Sequence, residues 1–296
     1  MRAATLPVLL ALLPAAAAGG VWFTTEDGSA SQGAETPVSP AEQVPMSWLL
    51  DRGDRSPMAP VAAPQERDEA GWPGGPPPRE FYFTRGIYSD HGWRRRQAWA
   101  TDFPKAEEQF LTVLTRLTGV DAHPGANPVR LDDPGLRRFP ILYMVEVGYM
   151  ALSPPERQGL RDYLLAGGTL VVDDFWGSAE WANFHREIRE VLPEYPVVPL
   201  PMDHPLFSTY YQVDSILQVP AFRGAATAWL PTHERDGYVA EARGIFDDTG
   251  RLMVVINWNT DLGDAWEWME QPAYPLRLST FAYQMGVNFI IHSMSR

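Results

Sequence analysis

The sequence predicts an α/β domain built on a mostly parallel β-sheet, and three observations predict it. Residues 141–145 and 169–172 are short apolar runs without polar alternation, as in strands buried on both faces. Segments with apolar residues at helical spacing follow them, each bounded by start and stop signals. Strand and helix patterns alternate, which implies right-handed parallel crossovers.

The 296-residue chain opens with an export signal over residues 1–23. Arg2 supplies a positive end, residues 6–13 an apolar core, and Ala16-Ala17-Ala18-Gly19 a small-residue cleavage site. Carried on through Val21, Trp22 and Phe23, the apolar stretch approaches the ~20 residues that cross a bilayer, so a signal peptide and an uncleaved signal anchor both stand. Pro14 and Gly19-Gly20 weigh against the anchor. In either case the rest of the chain is expected outside the cytoplasm, periplasmic or secreted, with a tether to the inner membrane if the signal stays uncut. Residues 24–78 show no sustained period and include Gly74-Gly75-Pro76-Pro77-Pro78; they read as a Pro/Gly-rich disordered linker.

Residues 79–296 carry the α/β domain. Phe81-Tyr82-Phe83-Thr84 reads as a first strand broken by Arg85-Gly86. A helix follows from Pro104, with Asp102 as its cap, Phe110, Leu111, Leu114 and Leu117 as its apolar stripe, and Gly119 as its stop. The strand at 141–145 ends at Glu146. Ser153-Pro154-Pro155-Glu156 is a capping box that starts a helix with Leu160, Tyr163 and Leu164 inward, and Gly167-Gly168 ends it. The strand at 169–172 then stops at Asp173 and Asp174. A third helix, residues 178–192, carries Trp181, Phe184, Ile188 and Val191. Residues 238–246 and 251–256 form a hairpin around Asp247-Asp248-Thr249-Gly250, and residues 280–294 a final helix.

Composition excludes several functions. A net charge of −13 and a pI near 4.9 argue against a nucleic-acid partner, because phosphate binding needs a basic face. The chain has no cysteine, which removes disulfides, thiolate metal sites and a cysteine nucleophile. The nucleophile elbow, P-loop and dinucleotide fingerprint are also absent from the sequence.

Ligands of open α/β sheets sit outside the carboxyl ends of strands. Glu146, Asp173 and Asp174 are therefore the candidate catalytic carboxylates, as a general acid/base or around a shared proton or cation. Arg85 ends the first predicted strand and could neutralise them or form a structural salt bridge. Trp176 and His204 are candidate ligand contacts, although Asp203-His204-Pro205 suits local hydrogen bonding better. Asn259, Asp261, Asp264 and Trp266 lie in the densest polar and aromatic stretch, which suits a sugar or other polyol. No metal site is assigned, since the histidines are scattered and the glycine of 257–267 is misplaced for a calcium loop. No cofactor is identified.

Five motifs together resemble the bacterial domain-of-unknown-function family 4159 over roughly residues 79–294. They are Phe81-Tyr82-Phe83-Thr84-Arg85-Gly86, Tyr163-Leu164-Leu165-Ala166-Gly167-Gly168, Asp173-Asp174-Phe175-Trp176-Gly177, His204-Pro205-Leu206-Phe207 and the run from Asn259 to Glu267. The resemblance implies a flavodoxin-like three-layer sandwich of the class I glutamine-amidotransferase-like superfamily, with no agreed activity. Amidotransferases carry cysteine where this chain has Asp173 and Asp174, so their chemistry is not expected here. The functional expectation is an exported domain that binds a polar small molecule or an envelope protein or glycan. The alternative is a hydrolase, carboxylate- or divalent-metal-dependent, acting on an envelope glycan.

Overall fold

Every residue of Thr169–Asp173 is buried, and this strand lies at the centre of a seven-stranded sheet. The computed structural model describes residues 79–91, 97–227 and 229–295; the export signal and linker expected over 1–78 lie outside them. In chain order the strands are β1 (Thr84–Ile87), β2 (Asn127–Arg130), β3 (Ile141–Val145), β4 (Thr169–Asp173), β5 (Val197–Pro199), β6 (Glu241–Phe246) and β7 (Leu252–Trp258). The helices are α1 (Lys105–Thr118), α2 (Pro154–Leu165), α3 (Gly177–Val191), α4 (Phe222–Ala226), α5 (Leu262–Glu267) and α6 (Leu276–Met294). The sheet order is β2-β1-β3-β4-β7-β6-β5. The first five of these run parallel, while β6 is antiparallel to both β7 and β5.

Strand periodicity divides the core in two. Val171 of β4 joins Phe110 and Leu114 of α1 and Phe281 and Phe289 of α6 in one apolar cluster. Leu170 and Val172, which point the other way, join Leu160 of α2 and Phe184 and Ile188 of α3 in a second. The Ser153–Glu156 box forms as expected: the Glu156 carboxylate accepts from the Ser153 N–H at 2.8 Å and hydroxyl at 2.7 Å. Among the described residues, no helix is long and apolar enough to cross a membrane.

Five local expectations change. The first strand is Thr84–Ile87, not 81–84; Phe81 makes only an isolated bridge to Ala122. Arg85-Gly86 continues that strand instead of breaking it, because β1 and β3 approach closely there. A Cβ on Gly86 would stand 2.7 Å from Met144 Cγ. Strands β2 and β5 contain Pro128 and Pro199 and were not expected from the pattern; both are sheet edges, where a missing N–H is tolerated. Asp102 does not cap α1 through its side chain; Pro104 holds that position and Asp102 turns away. The final helix starts at Leu276, directly after Pro275.

Candidate functional site

The parallel strands deliver their carboxyl ends to one rim, and the backbone there bends sharply. Glu146 after β3 (φ 52°), Asp174 after β4 (φ 47°), Asn259 after β7 (φ 61°) and Asp102 in the β1–α1 connection (φ 62°) are all left-handed without being glycine. Such conformations are sparsely populated and persist where surrounding structure enforces them. Here the enforcing structure is a set of rungs between neighbouring loops. Glu146 N–H donates to Asp174 O at 3.0 Å, Asp174 N–H to Thr260 O at 3.1 Å, and Asn259 N–H to Phe175 O at 3.1 Å. These bonds continue the sheet beyond its strands and fix the turns that carry the polar side chains.

The carboxylates gathered there are poorly neutralised. Asp173 is 0% exposed; its Oδ2 accepts from Tyr143 Oη (2.7 Å), Leu262 N–H (2.8 Å) and Gly263 N–H (3.1 Å), while Oδ1 has no partner among the described residues. Burial outweighs those bonds and pushes its carboxyl up to about 7. Asp174 accepts from Trp176 Nε1 at 3.0 Å. It is raised well above the usual carboxylate range by burial, then by Glu146 and Asp102. Asp261 is raised likewise by burial, then by Asp174 and Asp264, with its Oδ1 accepting from Asp264 N–H at 2.8 Å. Asp264 accepts from Phe222 N–H at 2.5 Å and Trp268 Nε1 at 3.2 Å, and burial raises it. Asp102 is raised by burial, then by Asp264 and Glu267, and its buried Oδ2 has no partner among the described residues. Burial and Asp264 raise Glu267 in turn, against the pull of Lys105.

Two cations stand close. Lys105 Nζ is 3.0 Å from Glu270 and 3.9 Å above the Trp268 ring. Arg85, completely buried, pairs through Nε with Glu107 at 2.5 Å and donates from Nη1 to Trp99 O and Thr101 O at 3.2 Å. Of the two roles weighed for Arg85, the structural salt bridge is the one the geometry contains: it straps down the segment that presents Asp102.

An open cleft of about 490 Å³ abuts this cluster, lined by Asp102, Asp264, Glu267, Arg223, His233 and Glu234 and by the rings of Phe222 and Trp268, which pack against each other with centroids 4.9 Å apart. One carboxylate oxygen each from Asp102, Asp261 and Asp264 lie within 4.8 Å of one another, a spacing able to hold a metal ion.

The other candidates lie elsewhere or are engaged. Trp176 is buried, donating to Asp174. Asn259 braces the loops, its Oδ1 accepting from Gly177 N–H at 2.8 Å and its Nδ2 donating to Val239 O at 2.7 Å. Trp266 packs into the core against Phe110 and Tyr143, ring centroids 4.7 and 5.3 Å away. His204 starts a short turn, its Nδ1 accepting from Leu206 N–H at 3.2 Å, and its ring meets Phe246 and His292. Phe246 pairs with Leu252 at the start of β7, so His204 is at the sheet end opposite the carboxylates. Asp102, Phe222, Arg223 and His233 were not expected at the site. Asp102 stands two residues before a helix-starting proline and is indistinguishable from a cap in sequence; Phe222 and Arg223 open the five-residue α4, too short for a periodic signal, and His233 lies in irregular chain.

Fold and site together define an α/β domain with an acidic, aromatic-walled cleft at the carboxyl ends of its parallel strands. The family model described as Domain of unknown function (DUF4159) matches residues 87–294, and the chain belongs to this family. Comparison with curated proteins finds no match.

Proposed function

We propose that this domain binds a polar ligand of polyol or glycan character in the cleft lined by Asp102, Phe222, Asp264, Glu267 and Trp268, outside the cytoplasm. The observation that carries the reading is the cleft itself. Carboxylates of Asp102, Asp264 and Glu267 and the rings of Phe222 and Trp268 line one concavity, and hydroxyl-rich ligands combine hydrogen bonds to polar groups with apolar contact to aromatic ones. The export signal read at residues 1–23 and the linker read at 24–78 support an envelope location, periplasmic or secreted, with an envelope glycan or protein as the source of the ligand.

The fold reading behind it is a flavodoxin-like three-layer sandwich of the glutamine-amidotransferase-like kind. The order β2-β1-β3-β4-β7 matches the flavodoxin-like order and supports it, as do the separate apolar clusters on either side of β4. In that arrangement the ligand crevice opens where the connections after β1 and β3 leave for opposite faces of the sheet, the connections that carry Asp102 and Glu146.

The hydrolase reading is second. It is favoured by Asp173, whose carboxyl near 7 suits a general acid at neutral pH. Against it, Asp173 and Asp174 are 0% and 6% exposed, so a ligand in the cleft meets Asp102, Asp264 and Glu267 first.

Calorimetric titration of the full chain with a panel of envelope oligosaccharides tests the proposal. At least one should bind, and Trp268→Ala should weaken it about tenfold without loss of fold. No binding across the panel, or binding indifferent to Trp268, would sink it. Release of reducing ends from a bound sugar would move the conclusion to the hydrolase.

A further inference from the structure

We infer that Asp102, Asp261 and Asp264 hold a hard divalent cation, of the Ca²⁺ type, which completes the cleft and coordinates ligand hydroxyls. The inference rests on the polar-ligand reading of the cleft and adds to it a metal site that the sequence did not assign.

Three observations carry it. The first is convergence without compensation. One oxygen from each of the three aspartates lies within 4.8 Å of the others, and among the described residues none of the three takes part in an ion pair. Arg85 stands nearby and its charge offsets part of the rise at Asp102, but its Nε and Nη1 are bonded to Glu107 and two carbonyls, and its buried Nη2 has no hydrogen-bond partner among the described residues, Asp102 included.

The second is a pair of oxygens without donors. Asp102 Oδ2 is buried and has no hydrogen-bond partner among the described residues; the same holds for Oδ1 of Asp173, a residue that is 0% exposed. A buried carboxylate oxygen left bare is costly, and a cation is one group that satisfies it.

The third is room. The three nearest atoms to the point where a Cβ of Gly263 would stand are Asp102 Oδ2 at 3.1 Å, Tyr143 Oη at 3.2 Å and Asp261 Oδ1 at 3.4 Å. Asp173 Oδ2 bonds both Tyr143 Oη and the Gly263 N–H, so its carboxylate borders the same spot. Glycine at 263 leaves this ring of oxygens free of a side chain.

Donor chemistry selects the ion. All contributing atoms are oxygen, with no nitrogen or sulfur, which suits Ca²⁺, Mg²⁺ or Mn²⁺ over zinc or copper. Bonds of about 2.4 Å, as Ca²⁺ makes, span oxygens as far apart as these, and Ca²⁺ accepts the six to eight ligands that would leave places for sugar hydroxyls. Asp264 borders the cleft, so the ion would face the bound ligand on that side.

The experiment uses the full chain, stripped with EGTA and titrated with CaCl₂ by equilibrium dialysis and by thermal shift. One Ca²⁺ per chain and a rise in Tm are expected. Asp102→Asn and Asp264→Asn should each weaken Ca²⁺ binding about tenfold or more, the scale that even outer-shell changes reach. Glu190→Gln, on the exposed face of α3, should leave it unchanged. Gly263→Ala keeps every charge and fills the spot; it should also weaken binding, and it decides the matter if an aspartate variant fails to fold. Absence of Ca²⁺ binding by the parent chain, or equal affinity in the Asp102, Asp264 and Gly263 variants, overturns the inference. Oligosaccharide binding that persists in EGTA with no ion taken up overturns the cation site and leaves the polar-ligand reading standing. Ca²⁺ bound with no oligosaccharide retained supports the cation site and removes the other.

Discussion

Two aspartate pairs, each at the end of a strand, reach opposite electrostatic fates. Asp173-Asp174 closes β4 and Asp247-Asp248 follows β6. Burial would raise Asp247 as well, but hydrogen bonds from Thr249 and Arg251 and the Arg251 charge overcome it and pull the carboxyl down to about 2. Its two oxygens receive the Thr249 N–H and Oγ1, the Arg251 N–H and Arg251 Nε, all within 3.0 Å. In the first pair burial wins, and other carboxylates crowd in where an arginine would otherwise stand. A turn that supplies donors and a cation builds a stable hairpin. A rim that withholds them stores unfavourable charge, and such rims are where function is sought.

The largest expected effect breaks the strap behind the acidic rim. Arg85→Ala leaves Glu107 as a buried charge without its partner and should cost about 3–5 kcal/mol, read from denaturant unfolding. Oligosaccharide and Ca²⁺ binding should fall with it, since the carbonyls of Trp99 and Thr101 lose their anchor and Asp102 follows.

A smaller effect concerns pH. Asp173 holds its proton up to about pH 7 when folded and to about 4 when unfolded, so the folded state binds more protons in between. In EGTA, the Asp173 contribution to stability should therefore fall as pH rises from about 4 to about 7. Thermal melts across that window should show a slope that Asp173→Asn flattens. An unchanged slope in the variant would mean that Asp173 is not the titrating group.

The hairpin should show the opposite sign and the smallest effect. The folded carboxyl of Asp247 is depressed, so its contribution is complete above about pH 4 and lost as pH falls through about 2. Asp247→Asn should cost about 1 kcal/mol at neutral pH, the net worth of a typical hydrogen bond, and should shallow the acid limb of the melting profile. Ligand binding should not change, because the turn lies at the other end of β7 from the cleft.

Much of this was legible in residue order. The strands at 141–145 and 169–172 followed from apolar runs too short for helices, and the Ser153–Glu156 box from cap chemistry that acts over three residues. The placement of Asp173, Asp174 and Glu146 at one rim followed from parallel topology alone. Local readings failed where a neighbour intervened. Gly86 looked like a breaker until Met144 lay across it, and Trp266 looked like a ligand platform until Phe110 and Tyr143 enclosed it.

What the sequence by itself determined is the α/β class, the central strand and the acidic strand ends, because each depends on periodicity or on contacts a few residues apart. Only the tertiary structure decided which carboxylates meet. Asp102 joins Asp261 and Asp264 across more than half the chain's length, a pairing set by how the strap after β1 folds over the start of α5. The physical reason is that burial and mutual repulsion are properties of three-dimensional neighbourhood: the same aspartate is a cap, a turn or part of a site according to what is brought against it.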